Sequence, residues 1–469
     1  MFRVLILTLL VPALAHAGFD DWSTGRTLRF DYHHAGIATE EHVSLDQIRL
    51  EGEWPGSRTQ LLDTTGLGKY RFELRDLATQ ELLYSRAFAS IYGEWETIGE
   101  ARRGVWRSFH ESQRFPEPRM PVQLVLTKRA ADDRFEEIFS CKVDPAGRFV
   151  NRSKIAKVGE VLEVEVHGDP SAKVDLLILG DGYTASERAK FDADARRLTQ
   201  ALLTTEPFAS RRDDFNVRAI APPSADSGIS RPRSDDWKNT PLGLSFNAFD
   251  SERYVLTFEN EALREIAAQA PYDALFVVGT SRKYGGGGIF NLYATTSSDT
   301  GVAEYVFVHE FGHSFAGLGD EYYTSQVSYE NFTPEGSEPW EPNVTALRDP
   351  AHPKWARFVD PETPVPTPWQ QEAYDEISVA YQEKRAELRS RGATEEEVEA
   401  LFAEVKAETT PMLRGEKWFG VVGAFEGAGY EAKGLYRPEV DCIMFTRNPK
   451  NFCRVCSAAI ERVIDLYAR

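Results

Sequence analysis

The stretch His309-Glu310-Phe311-Gly312-His313-Ser314-Phe315-Ala316-Gly317-Leu318-Gly319-Asp320-Glu321-Tyr322 decides how this chain is read. On a helix, His309 and His313 lie one turn apart on one side, so both imidazoles reach a single ion. Two neutral imidazoles suit Zn²⁺, and a third protein ligand leaves one position for water. Glu310 stands beside the pair, placed to take a proton from that water as it attacks a carbonyl. Val302, Val306, Phe307 and Val308 form an apolar lead-in, the pattern of a buried helix rather than a surface one. Two satisfied core histidines are the plain alternative, and the lead-in together with Glu310 weighs against it.

The helix has its stop signal in Gly317-Leu318-Gly319, because glycine accepts the left-handed geometry that turns a chain back on itself. Asp320 and Glu321 follow at once, and either carboxylate can supply the third ligand oxygen. Asp320 is favoured, giving a His309, His313, Asp320 set that zinc chemistry allows. Glu321 then orients a ligand imidazole or caps local backbone.

Working outward, strand–helix–strand alternation surrounds this motif. Val174–Leu179 is an apolar run that ends in Gly180-Asp181-Gly182, and Thr184 with Glu187 has capping-box spacing for a helix to about Leu203. Phe215–Ile220 and Asp273–Gly279 read as further buried strands, with a helix over Asn260 to Gln269 between them. This alternation predicts an α/β layer. Upstream, Thr27–Tyr32, Lys69–Leu74, Val122–Thr127 and Glu137–Val143 read as strands between Gly, Pro and Asp turns. Trp22, Trp54, Trp95 and Trp106 fit the packed core of a β-sandwich. Downstream, Pro-rich turns over Pro361–Pro368 lead to helical stretches at Tyr374–Arg391 and Thr394–Glu408. Apolar spacing from Cys456 to Tyr467 gives an amphipathic terminal helix. The expected division is a leader at 1–17, a β-rich domain at 18–150 and a catalytic domain at 151–469, with a helical and Pro-rich insertion at about 334–410.

The chain has 469 residues with a formal net charge of −19, a balance that argues against nucleic acid as partner. Met1-Phe2-Arg3, an apolar run from Val4 to Ala15 and Ala15-His16-Ala17 form the three parts of a cleavable export signal. A secreted or periplasmic protein without stable membrane insertion is expected, and the apolar run is too short for a spanning anchor. The chain has 4 cysteines, and export makes disulfides chemically permissible. Cys453-Arg454-Val455-Cys456 reads either as a redox pair, since Cys456 falls near a helix start, or as half a zinc ribbon, for which no two further ligands are evident nearby. A bridge from Cys442 to Cys453 or Cys456 is the economical reading, although four cysteines allow three complete pairings.

The motif from His309 to Tyr322 resembles the zinc motif of the M64, or IgA peptidase, family. The resemblance extends over roughly Leu176 to Cys456. It takes in Leu179-Gly180-Asp181-Gly182-Tyr183-Thr184, Ser227-Gly228-Ile229-Ser230 with Pro232, and Tyr284-Gly285-Gly286. It also covers Gly423-Ala424-Phe425-Glu426-Gly427-Ala428 and Tyr436-Arg437-Pro438. It implies an α/β metzincin-like zinc-peptidase domain, preceded here by the smaller β-sandwich domain. Gly317 to Asp320 has the implied Gly-x-x-ligand spacing. Two departures stand out: one extra residue lies between His313 and Gly317, and Asp replaces the commoner His. The resemblance also places Met444, in Cys442-Ile443-Met444-Phe445, beneath the metal, and an exposed edge strand over the Gly285–Gly288 run and Ile289–Tyr293, where small residues admit a substrate backbone.

The reaction expected is hydrolysis of a protein or peptide substrate by a secreted Zn²⁺-dependent endopeptidase, with Glu310 as general base and Tyr322, Tyr430 or Tyr436 as oxyanion donors. Two other readings are a zinc amidase or carboxypeptidase acting on peptide-like cell-wall material, and a noncatalytic zinc-stabilised adhesion or carbohydrate-binding protein. A carboxypeptidase needs an arginine clamp, for which Arg437 and Arg447 are the candidates.

Overall fold

A computed structural model describes residues 18–325 and 336–468; the expected leader, and part of the expected insertion, lie outside these. The N-terminal part holds eight strands: β1 (Ser23–Gly36), β2 (Glu41–Glu53), β3 (Tyr70–Asp76), β4 (Leu82–Phe88), β5 (Arg107–Pro118), β6 (Val122–Arg129), β7 (Phe135–Val143) and β8 (Val150–Asn151). Three short helices, α1 (Phe19–Trp22), α2 (Ile91–Trp95) and α3 (Gly99–Arg102), sit among them. The strands form two four-stranded sheets, ordered β5-β1-β2-β8 and β4-β3-β6-β7. Alternation supplies the apolar face. Leu28, Phe30 and Tyr32 of one sheet share a buried cluster with Phe72, Leu74, Leu124 and Leu126 of the other. Trp22 and Trp54 are buried in this core as expected, whereas Trp95 is buried in a second cluster beside Phe249 and Trp106 is 48% exposed, stacked on His42 at the surface.

The second part is built on a six-stranded sheet. Its strands are β9 (Leu162–Glu165), β10 (Val174–Asp181), β11 (Phe215–Ile220), β12 (Ala274–Gly279), β13 (Gly286–Ile289) and β14 (Tyr293–Ser297), in the order β13-β14-β12-β10-β11-β9. The four central strands run parallel, and an antiparallel strand closes each edge. Every residue of β10 and β11 is buried, as expected for parallel strands covered on both faces. The motif at Leu179–Thr184 is the exit from β10. The buried Asp181 carboxylate accepts hydrogen bonds from Thr240 Oγ1 at 2.7 Å and from the N–H groups of Leu242 and Leu244 at 3.0 and 2.8 Å. It thereby pins the 240–244 loop. Gly182 has φ +77°, and a Cβ there would lie 2.4 Å from the Gly228 carbonyl oxygen, so two motifs of the sequence are one backbone contact.

The helices are α4 (Arg188–Leu202), α5 (Asn260–Ala267), α6 (Ala303–Ala316), α7 (Gln371–Ser390), α8 (Glu395–Arg414) and α9 (Arg454–Tyr467). The Thr184–Glu187 box caps a turn of 3₁₀ helix that runs into α4, and Thr394 with Glu397 caps α8. A hairpin of β15 (Phe425–Ala428) and β16 (Glu431–Arg437) precedes α9. Helix α6 lies on β13 and β14 and packs beside α4 and α9. The two parts are joined by direct bonds: Ala89 N–H donates to Phe290 O at 2.9 Å, Asn291 Nδ2 to Ala87 O at 2.9 Å, and Arg114 Nη1 to Tyr272 O at 2.9 Å. Among the described residues no helix is long and apolar enough to cross a membrane.

Candidate metal centre

Helix α6 buries Phe307, Val308, Phe311 and Phe315, which fixes the opposite side of the helix, with Val306, His309, Glu310 and His313, toward a cleft of about 220 Å³. Gly317 ends the helix at φ +62°, and its N–H caps the His313 carbonyl at 3.0 Å. The reversal brings the Leu318 carbonyl back to His313 Nδ1 at 2.5 Å and sends Asp320 toward the two imidazoles.

Three donor atoms then form a near-equilateral triangle. His309 Nε2 and His313 Nε2 are 3.1 Å apart, and Asp320 Oδ1 lies 3.1 Å from the first and 3.2 Å from the second. A tetrahedral ion with arms of about 2.0–2.1 Å requires edges of about 3.3–3.4 Å, so the triangle is a slightly contracted face of such a site. Asp320 Oδ1 is buried and faces only the two Nε2 atoms, so with both rings neutral and protonated at Nδ1 it has no donor, a cost that a cation would offset. The residues present therefore fit a tetrahedral divalent metal.

The outer bonds orient these donors. His309 Nδ1 faces Ile443 O at 3.1 Å and Tyr305 Oη at 3.3 Å, and Tyr305 Oη itself donates to Ile443 O at 2.9 Å. With Leu318 O on His313 Nδ1, both rings are held as Nδ1–H tautomers whose Nε2 lone pairs point at the triangle. Tyr430 Oη donates to Asp320 Oδ2 at 2.6 Å. Asn343 grips Gly319 through its N–H and carbonyl at 2.7 and 2.9 Å, and also donates to Glu321 Oε1 at 2.9 Å. Met444 is fully buried against the underside of α6, where a Cβ on Gly312 would lie 3.3 Å from its Sδ.

Without a metal, burial opposes charge on His313, but the adjoining Asp320 carboxylate prevails and lifts the imidazole to about 9. Burial likewise opposes ionisation of Asp320, and the two histidines outweigh it and hold the carboxyl well below its usual range. Glu310 is raised, chiefly by burial, which favours a group that must accept a proton near neutrality. Its carboxylate lies within 4.8 Å of donor atoms of both histidines.

All four residues expected at the site converge here. Of the tyrosines, Tyr322 and Tyr430 line the cleft, whereas Tyr436 does not and turns instead to Glu426 at 3.4 Å. Arg437 is fully buried and donates to the carbonyls of Glu426, Gly427 and Val440, so it clamps backbone and no substrate. Arg447 lines the cleft, tied to Glu399 at 3.1 Å. Sequence reasoning missed Arg253, which donates to Tyr322 Oη at 3.1 Å, and Arg385 on α7. It also missed Asn343 and Tyr305. These come from separate segments whose convergence no local spacing signals. Helices α7 and α8, and Ala89 and Glu94 of the N-terminal part, supply further walls of the cleft.

The glycines of β13 line the cleft and also seat α6. A Cβ on Gly288 would lie 2.5 Å from the Glu310 carbonyl oxygen and 2.8 Å from His313 Cβ, and one on Gly286 would lie 2.7 Å from Val306 Cγ1. They let the helix settle onto the strand. Part of the outer edge is taken, since Gly286 exchanges backbone bonds with Arg253 and Val255.

A family model described as IgA Peptidase M64 matches residues 162–464, and one described as Peptidase M64 N-terminus matches residues 18–140. No curated protein matches the chain.

Proposed function

The chain belongs to the M64 family of zinc metallopeptidases, and from that premise we propose that it is an exported endopeptidase in which His309, His313 and Asp320 hold Zn²⁺ and Glu310 is the general base. The observation that carries this reading is the triangle of Nε2, Nε2 and Oδ1 atoms with edges of 3.1–3.2 Å beside a Glu310 raised by burial. Zinc, when bound, supplies Lewis-acid polarisation of the scissile carbonyl and of the attacking water. Glu310 takes the proton from that water and returns it to the leaving amine, as its raised affinity for protons allows. Tyr430 holds Asp320 in place. Tyr322 and Tyr430 both line the cleft and both bond Asp320; Tyr322 is the better oxyanion donor, because the Arg253 guanidinium that donates to its hydroxyl adds positive charge there. A metzincin-like arrangement is supported by the Gly317 turn, by Met444 beneath the helix and by β13 at the sheet edge.

We further take 18–150 as a β-rich domain, 151–469 as the catalytic domain and about 334–410 as an insertion whose helices wall the cleft. Nothing in the cleft assigns an immunoglobulin substrate. The test is Glu310→Gln. The variant should retain its metal and lose hydrolysis of a diverse peptide library by at least about 100-fold; equal cleavage would remove Glu310 from this role. A carboxypeptidase reading is favoured by one feature, Arg253 and Arg385 on the cleft wall. C-terminally amidated peptides separate the two, since an endopeptidase cleaves them and a carboxylate-clamping enzyme does not.

A further inference from the structure

Behind the metal centre lies a second set of donor atoms. Glu321, Cys442, Cys453 and Cys456 are all buried, and one donor atom from each lies within 4.8 Å of the others. They come from the loop after α6, the turn before Ile443 and the start of α9. No disulfide joins them: all four cysteines of the chain are free thiols, and the fourth, Cys141, stands apart on β7. The bridge expected from Cys442 is therefore not formed.

The spacing is informative. Cys442 Sγ and Cys456 Sγ are 3.8 Å apart. A disulfide holds its sulfurs at about 2.05 Å, whereas two thiolates on a tetrahedral zinc with Zn–S of about 2.3 Å stand about 3.8 Å apart. Glu321 Oε1 lies 3.4 Å from Cys456 Sγ, near the edge of about 3.6 Å that one Zn–S and one Zn–O arm would set. Glu321 is 0% exposed, and its Oε2 has no hydrogen-bond partner. The neighbouring buried Arg437 spends its Nη donors on backbone carbonyls, and its Nε, itself unpaired, does not bond that oxygen either.

We propose that Glu321, Cys442, Cys453 and Cys456 form a second, closed metal site of structural type for Zn²⁺ or a similarly thiophilic divalent ion. The Cys-x-x-Cys pair at the start of α9 is half of the ligand set, and Cys442 and Glu321 from distant turns complete it. Four protein ligands leave no position for water, which suits structure rather than catalysis. Three anionic sulfurs are accommodated by flanking donors: Cys453 N–H points at Cys442 Sγ at 3.3 Å, and Cys453 and Cys456 sit at the N-terminus of α9. The site braces the first. Glu321 follows Asp320 directly, and Cys442 precedes Ile443, whose carbonyl orients His309.

The proposal is independent of which residue acts as the base, and its test reads metal, not hydrolysis. Metal per chain is measured for the full chain purified with Zn²⁺ present, and for His309→Ala/His313→Ala. We expect two equivalents in the first and one in the second. Replacement by Co²⁺ in the double variant should give intense near-ultraviolet sulfur-to-metal charge transfer, which no His/Asp site produces. Should the double variant fail to fold, two equivalents in the unaltered chain, one released by a thiol-specific mercurial, support the site equally. One equivalent in the unaltered chain with all thiols open to titration overturns it. So does an intact mass and peptide map showing a Cys442–Cys456 disulfide. An unaltered chain that holds two metals and hydrolyses no peptide would count against the catalytic reading and leave this one standing.

Discussion

Substituting Gly288 by alanine tests how α6 is seated. The added Cβ would begin 2.5 Å from the Glu310 carbonyl oxygen and 2.8 Å from His313 Cβ. Normal contact requires the helix and strand to separate by several tenths of an ångström, and both facing atoms belong to backbone or its first carbon, so neither can swing aside. Overpacking of this kind costs about 1–3 kcal/mol, equivalent to roughly 2–4 °C in melting temperature per kcal/mol for a domain of this size. The displacement also falls on His313, one corner of the ligand triangle, so metal affinity should fall together with stability. Thermal unfolding of Gly288→Ala with and without chelator, alongside competition for metal, reads both effects. Gly301→Ala is the control, because a Cβ there meets nothing within 4 Å. Unchanged melting and metal affinity in Gly288→Ala would refute the close seating of helix on strand.

Three further outcomes follow from the same geometry. Tyr430→Phe removes the donor to Asp320 Oδ2 and should weaken metal binding about 10–100-fold in chelator competition, with Tyr436→Phe unchanged. Because His313 in the metal-free site is lifted to about 9, metal uptake at this site at pH 7, in a chain whose cysteine cluster is already loaded, should release about one proton; calorimetry in buffers of different ionisation enthalpy measures this, and zero release would contradict the pairing with Asp320. Asp273, between the two parts, is raised to about 8 by burial and by Asp175. The folded chain then keeps a proton that the unfolded chain sheds near pH 4. Stability should therefore fall as pH rises through about 4 to 8 and level off above, and denaturant titrations of Asp273→Asn should show a flatter profile across that window.

The parts of this protein legible in its sequence are those carried by local pattern. The strand Ala274–Gly279 is a continuous apolar run, Phe215–Ile220 carries apolar residues interrupted by Asn216 and Arg218, and α6 announces itself by its lead-in and its glycine stop. His309 and His313 were readable because helical spacing alone makes them neighbours. Asp320 was partly readable, since a glycine turn limits where the next carboxylate can go. Its competitor Glu321 turns the other way, into the cysteine cluster. What stayed hidden depends on segments far apart in the chain: Asn343 reaching Gly319, Tyr430 reaching Asp320, and Cys442 joining Cys453 and Cys456. That Gly286 and Gly288 also seat α6 is not legible, because composition cannot say which face of a strand a helix will occupy. Trp106 was read as core because aromatic character says nothing about the end of a strand that opens to solvent.

The most direct measurement is diffraction from crystals grown with zinc, with anomalous data collected on both sides of the zinc edge. A peak is expected about 2.0–2.1 Å from His309 Nε2, His313 Nε2 and Asp320 Oδ1, with its remaining position facing the cleft and Glu310 outside bonding distance. A peak enclosed by four protein ligands at that place, or density there with no anomalous signal, would contradict this expectation.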